Sequence, residues 1–465
     1  MKWNQNQVED LHIAYIGGGS RGWAWGLMSD LASAEDISGK VYLYDIDYEA
    51  ALQNEKIGNS IHNVEGAKAE WAYQAVKTIG EALTGADFVV ISILPGTFDE
   101  MESDVHTPEK YGIYQSVGDT SGPGGIIRAM RTVPMMEEIA KAVEQYCPEA
   151  WVINYTNPMT VCVRTLYKTF PRIKAFGCCH EVFGTQKVLQ EMLQEEFGIT
   201  AERDEIKVNV VGVNHFTWLT KAYYRNMDLF PIYRAYAEKY RLTGVGRPDE
   251  GNWVSTTDYF ACRQKVKFDL FLRFGAIAAA GDRHLAEFCP GDWYLKDPET
   301  VADWKFALTP VSWRKEDLKN RLARSRRLVS GEEAFQITKT GEEGVRQMRA
   351  ILGLADLVTN VNLPNLGQIP NLPLGAVVET NAVFRADSVQ PVMAGPLPES
   401  IVPLVGRIAG EQEVLVDGCM ERDPEKVFQA FTMDPLVRLP LDQSRALFDE
   451  MVDRTKAYLS DYKRA

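Results

Sequence analysis

The sequence predicts an α/β protein whose first part is a doubly wound parallel sheet and whose second part is mixed α+β. Three observations lead to this fold class. Short apolar runs alternate with helix-like stretches over the first 180 residues, which is typical of a parallel sheet. A glycine-rich segment follows the first run directly, and the alternation weakens after about residue 200. We therefore predict two domains, residues 1–200 and residues 201–465.

Each predicted element rests on its own stretch of residues. Apolar runs of strand length are predicted to be strands, namely L-H-I-A-Y-I (11–16), V-Y-L-Y-D (41–45), A-D-F-V-V-I-S-I-L (86–94), W-V-I-N-Y (151–155), K-A-F-G-C (174–178) and K-V-N-V-V-G-V-N (207–214). Helices are predicted for W-A-W-G-L-M-S-D-L after the first strand, for the polar stretch after the second strand, for 134–146 and for much of 400–465.

Composition limits the class of protein. The chain has 465 residues, of which 45% are apolar and 25% charged, and this suffices for two domains with a sizeable core. Its formal net charge is −14, and acidic and basic residues are interspersed without a basic run. Nucleic acids and anionic membranes bind concentrated positive patches, so neither is expected as a partner. A small acidic substrate is compatible, because one or two buried arginines would bind it.

Cysteine usage and the lack of long apolar runs indicate the compartment. The seven cysteines are sparse and odd in number, and no apolar run approaches the ~18 residues of a membrane-spanning helix. The first residues, M-K-W-N-Q-N-Q, are polar and do not resemble a signal peptide. We therefore predict a cytoplasmic protein whose cysteines are reduced thiols.

An NAD-binding Rossmann motif is predicted at the end of the first strand. Gly17, Gly19 and Gly22 fit the pattern G-x-G-x-x-G where a strand passes into a helix. Such glycines allow a tight turn, approach of the backbone to a pyrophosphate and close packing of helix on strand, and the helix N-terminus attracts the phosphates. Asp45 ends the second strand, where an acid binds the ribose of NAD and repels the 2′-phosphate of NADP. The alternative is a structural turn, because glycine triplets also occur without a ligand.

A metal site is one of two interpretations of the segments G-C-C-H and V-N-H-F. Both follow predicted strands, and the carboxyl ends of parallel strands converge on one crevice, so Cys178 or Cys179 could meet His215 there. One thiolate and one imidazole would leave positions for substrate oxygens and water, as a catalytic metal requires. His180 is a third candidate, either as a ligand or as an acid–base group. The alternative is that these side chains only fill the core.

Six motifs resemble glycoside hydrolase family 4 in order and spacing. They are G-G-G-S-R-G, A-D-F-V-V-I-S-I-L-P-G, Y-G-I-Y-Q-S-V-G-D-T-S-G-P-G-G-I-I-R-A-M-R-T-V-P, N-Y-T-N-P, G-C-C-H and V-N-H-F-T-W. The resemblance is strong over residues 11–220 and extends to N-L-P-L-G-A-V-V-E-T-N (371–381). Within the family, the segments V-G-D-T-S-G-P-G-G-I-I-R and G-C-C-H-E-V-F-G-T-Q-K are most similar to the alpha-galacturonidase branch, the LplD-type proteins.

The resemblance implies a fold similar to that of lactate and malate dehydrogenases and an NAD- and manganese-dependent alpha-glycosidase, most closely one that releases galacturonic acid. Family 4 is an exception to hydrolysis by two carboxylates. In the implied reaction, NAD+ oxidises the sugar at C3, a divalent metal binds the C2 and C3 oxygens, a side-chain base removes the C2 proton, and the C1 substituent is eliminated. Water then adds and the hydride returns, so NAD is recycled. A homodimer or homotetramer that acts on oligosaccharides is expected.

The resemblance also implies roles for individual residues. Cys179 and His215 are the expected metal ligands, and His180 is the expected acid that protonates the departing oxygen. Asp119 and Asn157 match positions that contact substrate, with helix capping and turn capping as their structural alternatives. Contacts with NAD are expected from Gly17, Gly19, Ser20, Arg21, Gly22, Asp45, Ser92 and Asn157.

Two assignments follow less directly from the resemblance: the catalytic base, and the residue that binds the C6 substituent of the sugar. Many members use a tyrosine downstream of the histidine ligand, whereas this chain reads F-G-A-I-A-A-A-G-D-R-H-L-A-E-F there. Asp282 is the matching base of the non-phosphorylated branch, and a structural role beside Arg283 is the alternative. Phospho-glycosidases carry an arginine where this chain has Met101, which argues against a 6-phosphate. Arg128, Arg283 and His284 are candidates for binding a C6 carboxylate, and Arg283 is assigned to the substrate site.

Three other functions are compatible with these residues. Alpha-glucosidase or alpha-galactosidase activity would need only a different sugar in the same site. A malate- or lactate-type NAD dehydrogenase would produce net NADH from a hydroxy acid, whereas the glycosidase would not. A non-catalytic dinucleotide sensor would keep its function after divalent metal is removed.

Overall fold

The computed structural model describes residues 1–246, 253 and 258–462. Within these residues the strands are β1 (Lys2–Asn4), β2 (Gln7–Ile16), β3 (Ile37–Tyr44), β4 (Trp71–Val76), β5 (Phe88–Ile91), β6 (Trp151–Asn154), β7 (Lys174–Gly177), β8 (Ile206–Val213), β9 (Phe216–Tyr224), β10 (Met227–Asp228), β11 (Ile277–Ala278), β12 (Leu357–Pro364), β13 (Val377–Arg385) and β14 (Ser388–Pro391). The α-helices of the same residues are α1 (Trp23–Ala32), α2 (Tyr48–Ser60), α3 (Ile79–Leu83), α4 (Phe98–His106), α5 (Gly122–Tyr146), α6 (Met159–Thr169), α7 (Glu181–Phe197), α8 (Phe230–Tyr240), α9 (Lys265–Phe274), α10 (Asp282–Glu287), α11 (Gly291–Tyr294), α12 (Pro298–Asp303), α13 (Val311–Ser330), α14 (Gly344–Ile351), α15 (Val402–Glu421), α16 (Pro424–Met433) and α17 (Leu441–Thr455).

A sheet of ten strands, counted over the described residues, forms the centre of the fold. Six neighbouring strands are parallel, in the order β4-β3-β2-β5-β6-β7, which is the order of the Rossmann fold. The chain moves outward to one side through β3 and β4, and then to the other side through β5, β6 and β7. A ligand crevice therefore opens between the ends of β2 and β5. The predicted doubly wound parallel sheet is confirmed.

Both faces of the parallel sheet are buried, which explains why its strands read as continuous apolar runs. Ile13 and Tyr15 of β2 pack on the face covered by α1 and α14, where Met348 contributes to the same cluster. Ala14 and Ile16 alternate with them and pack on the opposite face, against α5 and α6. A parallel sheet covered by helices on both faces has no solvent-facing side, so the buried parts of its central strands are largely apolar.

Three antiparallel strands from the second half of the chain extend the same sheet. β12 pairs with β7 at Asn362 and Gly177, and β13 and β14 follow it. A separate antiparallel sheet contains β8, β9, β10 and β11, with β8 and β9 as a hairpin. Because the main sheet uses strands from both sides of residue 200, the domain boundary at that residue stays a prediction.

Two features of the fold differ from the sequence-based expectation. The stretch after β3 contains β4 in addition to the helix α2, because W-A-Y-Q-A-V alternates exposed and buried residues at the sheet edge and lacks a continuous apolar run. The predicted strand 207–214 exists as β8, but it belongs to the antiparallel sheet.

None of the described helices is long and apolar enough to cross a bilayer. All seven cysteines lie in the described part of the chain, and each is an unpaired thiol, as the sequence predicts.

A buried ion pair joins α4 to α5. Arg131 Nη1 donates to Asp104 Oδ1 at 3.1 Å, and both side chains are fully buried. A single buried charge would be costly in free energy, so each of these residues needs the opposite charge of the other. This pair fixes α5, whose first turn follows the loop that carries Asp119.

Replacing Asp104 with alanine should lower the free energy of unfolding by about 3–5 kcal/mol, because Arg131 would keep a buried charge without a partner. Urea unfolding followed by tryptophan fluorescence measures this loss. Lys319→Ala is the control, since it removes an exposed pair with Glu316 and should cost less than about 1 kcal/mol. Equal losses in the two variants would contradict the assignment.

Candidate active site

The glycine loop lies at the crevice between β2 and β5. Gly17 follows β2 with φ of 94°, and a Cβ there would lie 2.0 Å from the carbonyl oxygen of Ser92. Only glycine fits at this position. The Gly19 N–H donates to Asp45 Oδ2 at 2.8 Å, so the acid at the end of β3 contacts the loop directly. The structure thus brings Gly17, Gly19, Asp45 and Ser92 together.

The N-terminus of α1 is open. Gly22 is its N-cap residue, and no side chain caps the first turn, so the N–H groups there are available to an anion. Ser20 and Arg21 are half-buried in the same loop. The Arg21 Nε atom is buried and has no hydrogen-bond partner among the described residues. These donors suit the pyrophosphate of a dinucleotide.

Asp119, His215 and His284 form a cluster of possible metal ligands. Their ligand atoms all lie within 4.8 Å of one another, and the two imidazole centroids are 3.9 Å apart. The Thr120 hydroxyl donates to Asp119 Oδ1 at 2.7 Å and lies 3.0 Å from His215 Nδ1. Because this hydroxyl has one proton, His215 Nδ1–H must donate to it, which leaves the Nε2 lone pair free. Imidazole and carboxylate donors at this spacing suit a divalent metal.

Charges in the cluster are set by burial and by neighbouring cations. Burial raises the pKa of Asp119, but the charge of Arg128, followed by those of His284 and His215, outweighs it and holds this pKa well below the usual range. Burial lowers the pKa of His215 to about 3, and the charge of His284 acts in the same direction. At neutral pH the aspartate is therefore ionised and His215 is neutral, as metal ligands must be.

A continuous set of contacts connects the cluster with the glycine loop. Ser92, which touches Gly17, precedes Ile93, whose N–H donates to Thr156 Oγ1 at 3.0 Å. Asn157 follows and donates from Nδ2 to Asp119 Oδ2 at 3.4 Å. The Asn157 Oδ1 atom is buried without a partner in the described part of the chain, so it can accept a hydrogen bond from a bound ligand.

His215 reaches the cluster by a route that the sequence does not predict. It occupies the two-residue turn of the β8–β9 hairpin with φ of 63°, a left-handed conformation that is uncommon for residues other than glycine. The expectation that it follows a parallel strand is therefore wrong, because β8 lies in the antiparallel sheet. The hairpin turn, and not a convergence of parallel strands, brings the imidazole to Asp119.

The two cysteines after β7 have different surroundings. The Cys178 thiol is buried and donates to Gln347 Oε1 at 2.7 Å, which is a packing role. Burial raises the pKa of the Cys179 thiol, whereas a hydrogen bond from Asn214 favours its thiolate. Asn214 immediately precedes His215, so the thiol lies near the hairpin turn. Cys179 is not a member of the three-residue cluster, and its role as a ligand stays a prediction.

His180 is exposed beside a cavity and is held by an acid. Its Nδ1 lies 2.8 Å from Glu342 Oε1 and its Nε2 lies 4.0 Å from Glu181 Oε1. The hydrogen bond with Glu342 raises the pKa of His180, although burial opposes this. A cavity of about 400 Å³ is lined by Glu342 and by Gly22. Glu342, which orients His180, and Gly22, at the end of the glycine loop, therefore line the same cavity.

Asp282 is the first residue of α10, and its carboxylate lies against the first turn of α9. Its carboxylate is fully buried and accepts hydrogen bonds from the Val266 N–H at 3.4 Å and the Lys267 N–H at 3.2 Å. Burial raises the pKa of Asp282 to about 6. These contacts are those expected if Asp282 has a structural role. Its assignment as the base therefore rests on the resemblance and stays a prediction.

Two further acids, the half-buried Glu181 and the buried Glu379, were not identified from the sequence. Glu181 accepts from the Gly281 N–H at 2.6 Å and lies 3.7 Å from His284 Nε2. Glu379 accepts from Asn360 at 2.6 Å and from Asn214 at 3.2 Å, and burial raises its pKa to about 7. An acid inside the apolar run A-V-V-E-T-N was a usable signal for Glu379, since a buried strand rarely contains an unpaired carboxylate.

Two family models match the chain. The model of family 4 glycosyl hydrolases matches residues 12–195, and the model of the C-terminal domain of that family matches residues 210–437. An alpha-galacturonidase from Thermoanaerobacterium saccharolyticum is 60% identical over 464 residues, which cover 100% of this chain and 99% of the relative. An alpha-galacturonidase from Bacillus subtilis is 53% identical over 446 residues, which cover 96% and 97%.

Solved structures show the same fold. The crystal structure of lplD from Bacillus subtilis matches with a TM-score of 0.90 and 53% identity, over 96% of this chain and 100% of that chain. A 6-phospho-alpha-glucosidase from gut microorganisms, in complex with NAD and Mn2+, matches with a TM-score of 0.80 and 20% identity, over 97% and 99%.

Gly17→Ala should abolish NAD binding, because its Cβ would collide with the Ser92 carbonyl at the crevice. Gly66→Ala is a matched control, since Gly66 has φ of 93° but no atom within 4 Å of an added Cβ. Gly66→Ala should lose about 1–2 kcal/mol of stability from the left-handed backbone, and Gly17→Ala should lose more because of the collision. Titration with NADH, followed by its fluorescence, should show lost affinity only for Gly17→Ala. Equal affinities in the two variants would place the dinucleotide elsewhere.

Proposed function

The chain belongs to glycoside hydrolase family 4, and from this membership we propose that it is an NAD- and Mn2+-dependent alpha-galacturonidase. The observation that carries the proposal is that one set of contacts joins an open, glycine-lined helix N-terminus to a cluster of Asp119, His215 and His284. A dinucleotide and a metal can therefore act on one substrate. The relatives named alpha-galacturonidase, at 53–60% identity over nearly the whole chain, support galacturonic acid as the sugar.

The chain offers separate sites for the two cofactors. Gly17, Gly19 and Gly22, with the start of α1, would hold the pyrophosphate of NAD, and Asp45 would hold a ribose. His215 would bind the metal, with Cys179 as the second ligand by resemblance and with Asp119 and His284 as the neighbouring donors. When bound, NAD+ and the metal supply the oxidation of the sugar C3 and the polarisation of the resulting carbonyl.

Side chains of this protein would move the protons. His180 would protonate the departing oxygen from Nε2, because Glu342 holds its Nδ1. Asp282 would remove the C2 proton, but its carboxylate must first leave the N–H groups of α9. Glu181 is the competing base, since its carboxylate already lies beside His284.

Substrate hydroxyls would be held by Asp119 and Asn157. The Asn157 Oδ1 atom lacks a partner among the described residues, and Asp119 Oδ2 lies 3.4 Å from the Asn157 amide nitrogen. Met101 occupies the position of the phosphate-binding arginine and packs with Val105 and Val311 in a small apolar cluster. This environment argues against a 6-phosphate. Homodimeric or homotetrameric assembly and a cytoplasmic location stay predictions.

With NAD+, Mn2+ and a reductant, the protein should release galacturonic acid from an aryl alpha-galacturonide without net NADH. Deuterium at the sugar C2 should slow the reaction and exchange into solvent, because that proton is removed before elimination. Product analysis by mass spectrometry and absorbance at the NADH band measure both effects. Stoichiometric NADH without release of the aryl group would instead indicate a dehydrogenase.

The same exchange assay tests the base. Asp282→Asn should stop the wash-out of C2 deuterium while Glu181→Gln should not. The opposite result would move the base to Glu181.

Cys179→Ser should weaken Mn2+ binding by at least ~10-fold, since even outer-sphere partners of a metal contribute 10–100-fold. Cys178→Ser is the matched control. The Cys178 thiol donates to Gln347, so its replacement should leave the Mn2+ affinity unchanged. Titration of Mn2+ followed by electron paramagnetic resonance measures the affinity. If only His284→Ala, and not Cys179→Ser, loses affinity, the ligand set is the Asp119, His215 and His284 cluster.

A further inference from the structure

We propose that Glu379 is a positioning residue of the metal site, which holds the segment that carries Cys179 and the turn that carries His215 in one fixed arrangement. This inference rests on the proposed function, because a metal held by these two segments is part of it. Glu379 lies in β13, and the residue is 1% exposed.

The carboxylate of Glu379 connects two elements through two amide groups. Its Oε1 accepts from Asn360 Nδ2 at 2.6 Å, and its Oε2 accepts from Asn214 Nδ2 at 3.2 Å. Asn360 Nδ2 also donates to the carbonyl oxygen of Cys179 at 3.2 Å. Asn214 immediately precedes His215 in the β8–β9 turn. One carboxylate therefore joins the backbone of Cys179 to the neighbour of His215.

The main sheet fixes Glu379 relative to the cysteine segment. Glu379 lies opposite Asn362 of β12, and Asn362 in turn lies opposite Gly177 at the end of β7. Gly177 is two residues before Cys179, so backbone pairing holds β13 close to that cysteine. The β8–β9 hairpin belongs to the other sheet. A side-chain contact, and not a backbone ladder, therefore connects its turn with Glu379.

A carboxylate suits this position better than an amide does. Both oxygens of an ionised glutamate accept hydrogen bonds, whereas a glutamine offers one accepting oxygen and one donating nitrogen. Two amide donors face Glu379, so both of its oxygens are used. A buried carboxylate is costly in free energy unless hydrogen bonds compensate it. These two donors account for an acid inside the buried run A-V-V-E-T-N.

The turn that carries His215 needs such support. His215 has φ of 63°, and a side chain in this left-handed region persists only where the surrounding structure holds it. Its Nδ1 lies 3.0 Å from the Thr120 hydroxyl, and the preceding Asn214 is bound by Glu379. These contacts fix the turn and the direction of the imidazole. Partners that orient a metal ligand in this way contribute about 10–100-fold to metal affinity.

Glu379→Gln tests the positioning role. The variant keeps the size of the side chain but has one acceptor oxygen fewer, so one of the two amides loses its partner. We expect the dissociation constant for Mn2+, measured by electron paramagnetic resonance, to rise by about 10–100-fold. The affinity for NADH, measured without metal, should stay unchanged, because the dinucleotide binds at the glycine loop. Loss of both affinities would indicate general disruption and would overturn the inference.

Asn381→Ala is the matched control. Asn381 lies on the same strand as Glu379 and donates from Nδ2 to the carbonyl oxygen of Val208 at 2.6 Å. Its replacement also removes a hydrogen bond between β13 and the hairpin, but away from the turn, so Mn2+ affinity should not change. An equal rise of the dissociation constant in both variants would mean that Glu379 only attaches the hairpin, which contradicts the inference.

Asn360→Ala is a second variant, which serves if Glu379→Gln does not fold. It removes the hydrogen bond to the Cys179 carbonyl and leaves the carboxylate of Glu379 in place, and it should also weaken Mn2+ binding. Unchanged Mn2+ affinity in this variant would overturn the inference.

The release of galacturonic acid separates this inference from the proposed function. If Glu379→Gln weakens Mn2+ binding as expected but the wild type releases no galacturonic acid, the positioning role stands and the proposed function fails. If the wild type releases it and Glu379→Gln binds Mn2+ as tightly as the wild type, the proposed function stands and the inference fails. A wild type that binds no Mn2+ would also overturn the inference.

Discussion

The arrangement of the active site depends on one half-buried carboxylate, that of Asp119. An ionised group inside a protein must be compensated by hydrogen bonds and opposite charge. Thr120 and Asn157 supply hydrogen bonds, while Arg128 supplies the largest compensating charge and His284 lies beside the carboxylate. These residues come from the loop before α5, the segment after β6, and the helices α5 and α10. Compensating one charge therefore brings together elements that are distant in the chain, and it leaves the His215 imidazole neutral beside them.

The fold was predictable from the sequence where burial requires a recognisable pattern of residues. The run at 11–16 is apolar throughout because both of its faces are covered, and Gly17 must be glycine because of the Ser92 carbonyl. The edge strand β4 was missed, since an exposed face gives it a mixed composition. The sheet to which β8 belongs was also assigned wrongly, because an apolar run of this length does not specify its pairing partner.

Site residues were predictable where a local motif carries the chemistry, as in G-G-G-S-R-G and G-C-C-H-E. Glu342 had no such signal. It lies in a polar segment that resembles a solvated surface, and its role comes from its contact with His180, which is far away in the chain. The resemblance supplied Asp282 as a base, whereas the structure shows a carboxylate bound to the first N–H groups of α9.

The pairing of β12 with β7 has a consequence for how the chain is made. During synthesis, β7 leaves the ribosome long before β12, and until then its outer edge presents unpaired backbone groups. Exposed strand edges are templates for association with other chains. A nascent or prematurely terminated polypeptide that ends before Leu357 would therefore be a client for chaperones.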